Sequence, residues 1–230
     1  MKTESVRLTP AALKKKYGFE NPFRPDPLSK KILKHLDGGK RLSPGGRRLL
    51  DVGCGEGADS VFFARRGFRV TSVDKNGDWL RRFRAYCRDE RPGSITIRRA
   101  SATSYKYPHD AYDVVISLLV ICCMKRSEVA RVIPAVKKAV KPGGVIAISA
   151  RNYLDPEFKD YRRTEKPVEP NTFATKEDCC KFLYFLEKGR LGRLFKGFEI
   201  LDFYEGPAPC KYGEHPVHGD TWIICRRPLS

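Results

Sequence analysis

The chain has 230 residues, 41% hydrophobic and 11% aromatic, which is enough apolar material for one sizeable core and suits a single domain. No run of about 18 uncharged apolar residues occurs, and Met1-Lys2-Thr3-Glu4-Ser5-Val6-Arg7 leads into no apolar segment, so neither a transmembrane segment nor export is expected. The formal net charge of +18 favours anionic partners, whether phosphate backbones, anionic membrane surfaces or small oxyanions.

Thirteen Lys and Arg stand against four acids over residues 1–48, half of the whole surplus. Runs such as Lys14-Lys15-Lys16 and Lys30-Lys31 read either as solvated helix faces or as a surface for nucleic acid. Eight cysteines are present, two pairs of them sequence neighbours (Cys122-Cys123 and Cys179-Cys180). That is not the spaced framework of a disulfide scaffold, and a reducing cytoplasm is the expected setting.

Residues 1–46 mix helical patches, Pro10 to Tyr17 and Pro27 to Leu36, with the breakers Asn21-Pro22, Arg24-Pro25 and Gly38-Gly39, which predicts an N-terminal helical arm. From Arg48 the pattern becomes periodic. Leu49-Leu50-Asp51-Val52 is a short buried strand running into Gly53-Cys54-Gly55-Glu56-Gly57, and Ser60 to Arg66 is a helix stopped by Gly67. Strand Arg69 to Val73, helix Asp78 to Arg88 and strand Ile95 to Arg98 follow. Tyr112 to Leu119 is a buried strand, Glu128 to Val140 a helix ended by Lys141-Pro142-Gly143-Gly144, and Val145 to Ser149 another strand. Residues 151–174 are polar and contain prolines, which predicts a loop excursion. Thr175 then starts a predicted helix, with Asp178 three residues on as a capping-box variant. Phe198 to Tyr204 and Thr221 to Cys225 are the last strands. Strands alternating with helices of about 10–15 residues predict an α/β fold, a Rossmann-like seven-stranded mostly parallel sheet with helices on both faces, preceded by the arm. Residues 47–230 form the expected catalytic domain.

A strand that runs at once into three alternate glycines and then a helix is a ligand-binding turn, because glycine allows unusual dihedrals and a close approach of ligand to main chain. Gly53, Gly55 and Gly57 are spaced G-x-G-x-G, with Asp51 just before them. Dinucleotide-binding turns are spaced G-x-G-x-x-G, and no Gly-Lys-Ser or Gly-Lys-Thr follows to make a P-loop. Asp74 ends the next strand, 23 residues after Asp51, where a carboxylate accepts both ribose hydroxyls; the plainer reading is a cap for the following helix. In such sheets the ligand lies outside the carboxyl ends of the strands, so Lys75, Ser101, Ala102, Ser117, Leu118 and Leu119 are expected to line the site.

The run Leu50-Asp51-Val52-Gly53-Cys54-Gly55, with Val73-Asp74-Lys75-Asn76, Tyr112-Asp113 and Lys141-Pro142-Gly143-Gly144, resembles class I S-adenosylmethionine-dependent methyltransferases, and among them the TehB (tellurite-resistance) type of small methyltransferase. The resemblance covers residues 48–150 and, more loosely, the tail. It implies S-adenosyl-L-methionine as cofactor, contacts to it from Asp51 to Gly57 and from Asp74, and methylation of small nucleophiles such as thiols or chalcogen oxyanions. It further implies a histidine near the C-terminus in the pocket, for which His215 and His218 are the two positions available. Many such enzymes carry an acid for the adenine amine where this chain has Ser101 and Ala102. The Asn-Pro-Pro-Tyr or Asp-Pro-Pro-Tyr of enzymes that methylate base amines is also missing after Ser117, which argues against that substrate.

Methyl transfer is an in-line displacement, so nucleophile and methyl must be held close and aligned in a dry site. A soft anion needs little more, whereas oxygen and nitrogen acceptors need a base, a role for His215 or His218 in a turn before the last strand. Arg151, with Asn152 and Tyr153, follows the fifth strand and is a candidate to hold an anionic acceptor. Cys122-Cys123 is either core packing or a metalloid-binding pair. Cys210, His215, His218 and Cys225 match no standard zinc spacing, and no metal is expected. Tyr17, Phe19 and Phe23 either close over the pocket or dock the arm. The expected function is methyl transfer from S-adenosylmethionine to a small nucleophile. The alternatives are methylation of RNA or another macromolecule through the basic surface, and a non-catalytic S-adenosylmethionine-binding regulator.

Overall fold

The computed structural model describes residues 10–19, 24–37, 46–176, 180–209 and 216–229. In chain order its elements begin with helices α1 (Pro10–Tyr17) and α2 (Pro27–Asp37), then β1 (Arg48–Val52), α3 (Ala58–Ala64), β2 (Arg69–Asp74), α4 (Gly77–Glu90) and β3 (Ile95–Arg99). β4 (Tyr112–Leu118), a 3₁₀ turn (Ile121–Cys123), α5 (Arg126–Ala139), β5 (Val140–Arg151) and α6 (Pro156–Thr164) follow. The chain closes with β6 (Thr172–Ala174), β7 (Phe182–Tyr184), α7 (Arg190–Leu194), β8 (Glu199–Pro209) and β9 (Val217–Arg226).

Seven strands form one sheet in the order β3-β2-β1-β4-β5-β9-β8, in which β3 to β5 run parallel and β9 and β8 antiparallel. The central strands are apolar on both sides, as parallel strands covered by helices must be. Successive residues of β4 serve opposite faces: Val115 packs with Val132, Ile133 and Val136 of α5, while Val114 and Ile116 pack with Phe62 and Phe63 of α3. Leu28, Ile32 and Leu33 of α2 complete that second face, so the basic arm is partly core. A further cluster joins Leu13, Tyr17 and Phe19 to Leu80, Phe83 and Tyr86 of α4. Tyr17 and Phe19 therefore dock the arm; Phe23 lies outside the described residues.

Two predicted features differ. Residues 151–174 are not all loop. Asp155 caps α6 by accepting the Glu157 N–H at 3.0 Å, and Phe158 of α6 is buried against Phe173 and Phe185. No helix starts at Thr175: residues 175, 176 and 180 are non-helical and Phe182–Tyr184 is a strand paired with β6. Asp178 and Cys179 lie outside the described residues. The cap pattern lost to a hairpin whose residues find apolar partners across the fold. No described helix is long and apolar enough to cross a membrane.

Candidate functional site

Leu49 to Val52, apolar except for Asp51, leads directly into the glycine turn, whose three glycines all adopt positive φ, +76° at Gly53, +53° at Gly55 and +86° at Gly57. Side chains are excluded at two of them by space as well. A Cβ on Gly53 would lie 2.2 Å from the Val120 side chain and one on Gly57 2.2 Å from the Phe83 ring. The Gly53 and Cys54 N–H groups both donate to the Val73 carbonyl, at 2.7 and 3.0 Å, which pins the turn to the end of β2.

Asp74 sits where these two strand ends meet. One carboxylate oxygen accepts the Gly55 N–H at 2.9 Å and the other the Asn76 N–H at 2.8 Å. Asn76 in turn caps α4, accepting from the Asp78 and Trp79 N–H groups at 3.0 and 3.1 Å. This fixes Trp79 at the start of the helix, beside Asp74.

Above the carboxyl ends of β1, β2 and β4 lies a cavity of about 530 Å³, inside the usual range for a small-molecule pocket, roughly 300–1,000 Å³. Of the sequence-predicted residues, Gly53, Asp74, Lys75, Ser101, Ala102 and Leu118 line it, as does Leu119. Leu119 has a left-handed backbone, φ +56°, held by its N–H donating to the Ser149 carbonyl and hydroxyl at 3.1 and 3.0 Å. A branched residue is rarely found in that conformation, which recurs at functional sites.

Other predicted residues stand apart from the lining. Gly55 and Gly57 shape the turn from behind it, and Cys54 packs toward Cys87 and the α1–α4 cluster, burial pushing its thiol up. Asp51 is buried and accepts the Ser60 hydroxyl at 2.6 Å. Burial first, then the Asp59 charge, pushes its carboxyl up to about 8 despite the Ser60 hydrogen bond. Ser117 is buried in β4, its hydroxyl without a hydrogen-bond partner among the described residues.

Arg151, expected to hold an anionic acceptor, is instead paired with Glu157 at 2.6 Å and does not line the cavity. His218 belongs to β9, opposite Ala208 of β8, and not to a turn. It too stands off the cavity, its imidazole lowered mainly by burial, with Asp155 acting in the other direction. His215 and Cys210 lie outside the described residues. Among the described residues no group of three or more His, Cys, Asp or Glu is placed to hold a metal ion, and none of the six described cysteines is in a disulfide.

Cys123, one of the thiol pair singled out from the sequence, also lines the cavity, whereas Trp79, Met124, Glu128, Lys181 and Phe182 are wall residues that the sequence did not single out. Glu128 and Trp79 follow helix caps, which are legible locally; Lys181 and Phe182 arrive from the β6–β7 hairpin, about 60 residues after Cys123, with no local signal. Glu128 caps the start of α5, accepting the Lys125 N–H at 2.8 Å, and the Lys125 ammonium lies 4.7 Å from the Phe182 ring centre.

The family model described as a methyltransferase domain matches residues 49–144, the span from β1 through the glycines after α5. Among curated relatives, the ubiquinone biosynthesis O-methyltransferase of Aeromonas salmonicida is 32% identical over 114 residues, 46% of this chain and 44% of that one. The chain spans about half the length of the curated relatives it matches. A solved S-adenosylmethionine-dependent methyltransferase from Methanosarcina mazei superposes with a TM-score of 0.67 at 21% identity, covering 83% of this chain and 96% of that one. TehB from Haemophilus influenzae superposes with a TM-score of 0.69 at 18% identity, covering 95% and 66%. The glycine turn and the acid at the end of the second strand fall within the stretch that matches the methyltransferase domain, and the fold is like that of TehB.

Proposed function

We propose that the chain transfers a methyl group from S-adenosylmethionine to a small nucleophilic acceptor inside this cavity. The observation that carries the reading is Asp74, a cavity-lining carboxylate fixed through one backbone N–H on each oxygen. A carboxylate has about four acceptor positions, so each oxygen keeps capacity for a ribose hydroxyl. Trp79 and Ala102 supply apolar walls for a planar base, and the hydroxyls of Ser101 and Thr103, 2.9 Å apart, supply polar partners for its edge. Gly53, Gly55 and Gly57 keep the turn free of side chains beside the donor. When bound, the cofactor supplies a methyl carbon activated by a sulfonium.

The chain's own part is to orient the acceptor and exclude water. Leu119, Met124 and Phe182 make the far wall apolar, which strengthens every charge interaction inside. Lys75 and Lys181 put positive charge on the wall, which draws an acceptor that is an anion or ionises readily, a thiol or an oxyanion. We keep the sequence division into an arm (1–46) and a catalytic domain (47–230), the arm serving as a brace on the second sheet face.

Incubating the full chain with labelled S-adenosylmethionine and a panel of thiols, chalcogen oxyanions, phenols, amines and total RNA tests the reading. Methylated thiol or oxyanion is the expected product. The relatives named for quinone O-methylation and for glycine N-methylation make phenols and amines the informative competitors. Preferred turnover of RNA would overturn the small-acceptor reading, and donor binding without turnover on any member would support a regulator.

A further inference from the structure

Two adjacent thiols follow β4, Cys123 on the cavity wall and Cys122 buried behind it. Leaving β4, the chain makes the 3₁₀ turn Ile121–Cys123. Cys123 lines the cavity and its thiol donates to the Leu119 carbonyl at 3.6 Å. Cys122 behind it is only 3% exposed and packs with the sheet core. A hydrogen bond with Cys123, backed by the nearby Arg151 charge, holds the Cys122 thiol below its ordinary value although burial opposes this. Cys123 also packs against the cluster of Phe158, Phe173, Leu183 and Phe185 that holds the buried Cys180. The wall around the pair is therefore soft, apolar and thiol-rich.

Such a wall is wrong for a hard cation, which needs several oxygen ligands, and right for a thiophilic ligand that ends up neutral. We propose that Cys122 and Cys123 are a dithiol site for a monosubstituted trivalent metalloid acid of the type R–As(OH)₂. In the condensation two S–H and two As–O bonds break and two As–S bonds form. The two protons leave with the two hydroxyls as two waters. Arsenic stays trivalent, so no oxidant or reductant enters. The proposal goes beyond the methyl-transfer reading and needs no methyl donor, so either can fail alone.

The probe is phenylarsine oxide, which hydrates to this form, added to the full-length chain and read by intact mass and by titration of free thiols. One adduct per chain with the loss of two titratable thiols is expected, released by 2,3-dimercaptopropanol and not by the same concentration of a monothiol. Joining two thiols on one ligand raises affinity by about 10²–10⁴ over one, so Cys123→Ser should weaken binding at least about a hundredfold. Cys122→Ser should do the same, and if that buried variant fails to fold, Cys123→Ser decides the matter. Cys87→Ser, away from the cavity, should leave binding within about twofold of wild type. Undiminished binding in Cys123→Ser would overturn the proposal. So would an adduct that survives there and disappears only in Cys179→Ser or Cys180→Ser.

Discussion

Asp51 and Asp74 end neighbouring strands yet live in different electrostatic settings. Asp74 faces the cavity and two backbone N–H donors, whereas Asp51 is sealed behind the turn with the hydroxyls of Ser60 and Ser72, themselves 2.6 Å apart. Because burial raises the folded Asp51 value to about 8, the folded chain keeps a proton there that the unfolded chain gives up near the ordinary carboxylate value. The folded state thus binds more protons across that window, and stability falls as pH rises from about 4 to about 8, by up to about 1.4 kcal/mol per pH unit for one group. Asp59 and Asp220, raised by burial to about 6, act in the same sense over the lower half of the window. Between pH 6.5 and 8 the remaining slope should belong mainly to Asp51. Thermal midpoints of the unliganded chain should fall over that interval, and those of Asp51→Asn should stay nearly flat. Equal slopes in the two proteins would show that Asp51 is ionised in the fold.

At the scale of elements, the arm is the test case. Asp26 and Ser29 at the start of α2 donate to Asp59 of α3 at 2.9 and 2.6 Å, and Phe19 is 1% exposed beside the rings of Tyr17 and Tyr86. A docked Phe of this kind typically costs about 3–5 kcal/mol when cut to Ala. Urea unfolding of Phe19→Ala should show a loss of that order in a single transition; a loss under about 1 kcal/mol would mean the segment is a loose cover.

The contrast between legible and illegible elements is physical. β1, β2, β4 and the centre of β5 are legible because a strand covered on both faces is mostly apolar, as in Leu49, Leu50 and Val52 or Val114 to Ile116, although β5 begins at Val140, before the predicted Val145. β6 and β7 are three residues each, too short to carry a period, and their stability comes from Phe173, Leu183 and Phe185 packing with Phe158 of α6. β9 begins at Val217, before the apolar run at Thr221, because its backbone ladder to Gly206–Pro209 of β8 needs no apolar pattern. That early start is why His218 is a strand residue. In the site, the half contributed by the glycine turn and the strand ends is legible, since motif and cavity share a stretch of chain. Lys181 and Phe182 reach it only through tertiary packing.

Across the whole molecule the net charge is +18 with every acid already counted, yet several of the basic residues near the N-terminus have partners within the fold. Lys16 pairs with Asp89 and Glu90 at 3.7 and 3.3 Å, Lys31 with Asp202 at 3.0 Å, and Arg48 lies 5.2 Å from the Tyr112 ring centre. Several arm residues thus have structural work, so their charge alone does not require a polyanion; exposed pairs of this kind contribute about 0–1 kcal/mol each and weaken with salt. If Asp74 anchors the methyl donor in the cavity, donor affinity depends on that carboxylate. Calorimetric titration of S-adenosylmethionine into the full chain and into Asp74→Ala measures this directly. Two hydrogen bonds to a charged acceptor are worth about 1.5–3 kcal/mol each. One binding site per chain is therefore predicted, weakened at least about tenfold in the variant. Unchanged affinity in Asp74→Ala, or binding of NAD in preference to S-adenosylmethionine, would contradict it.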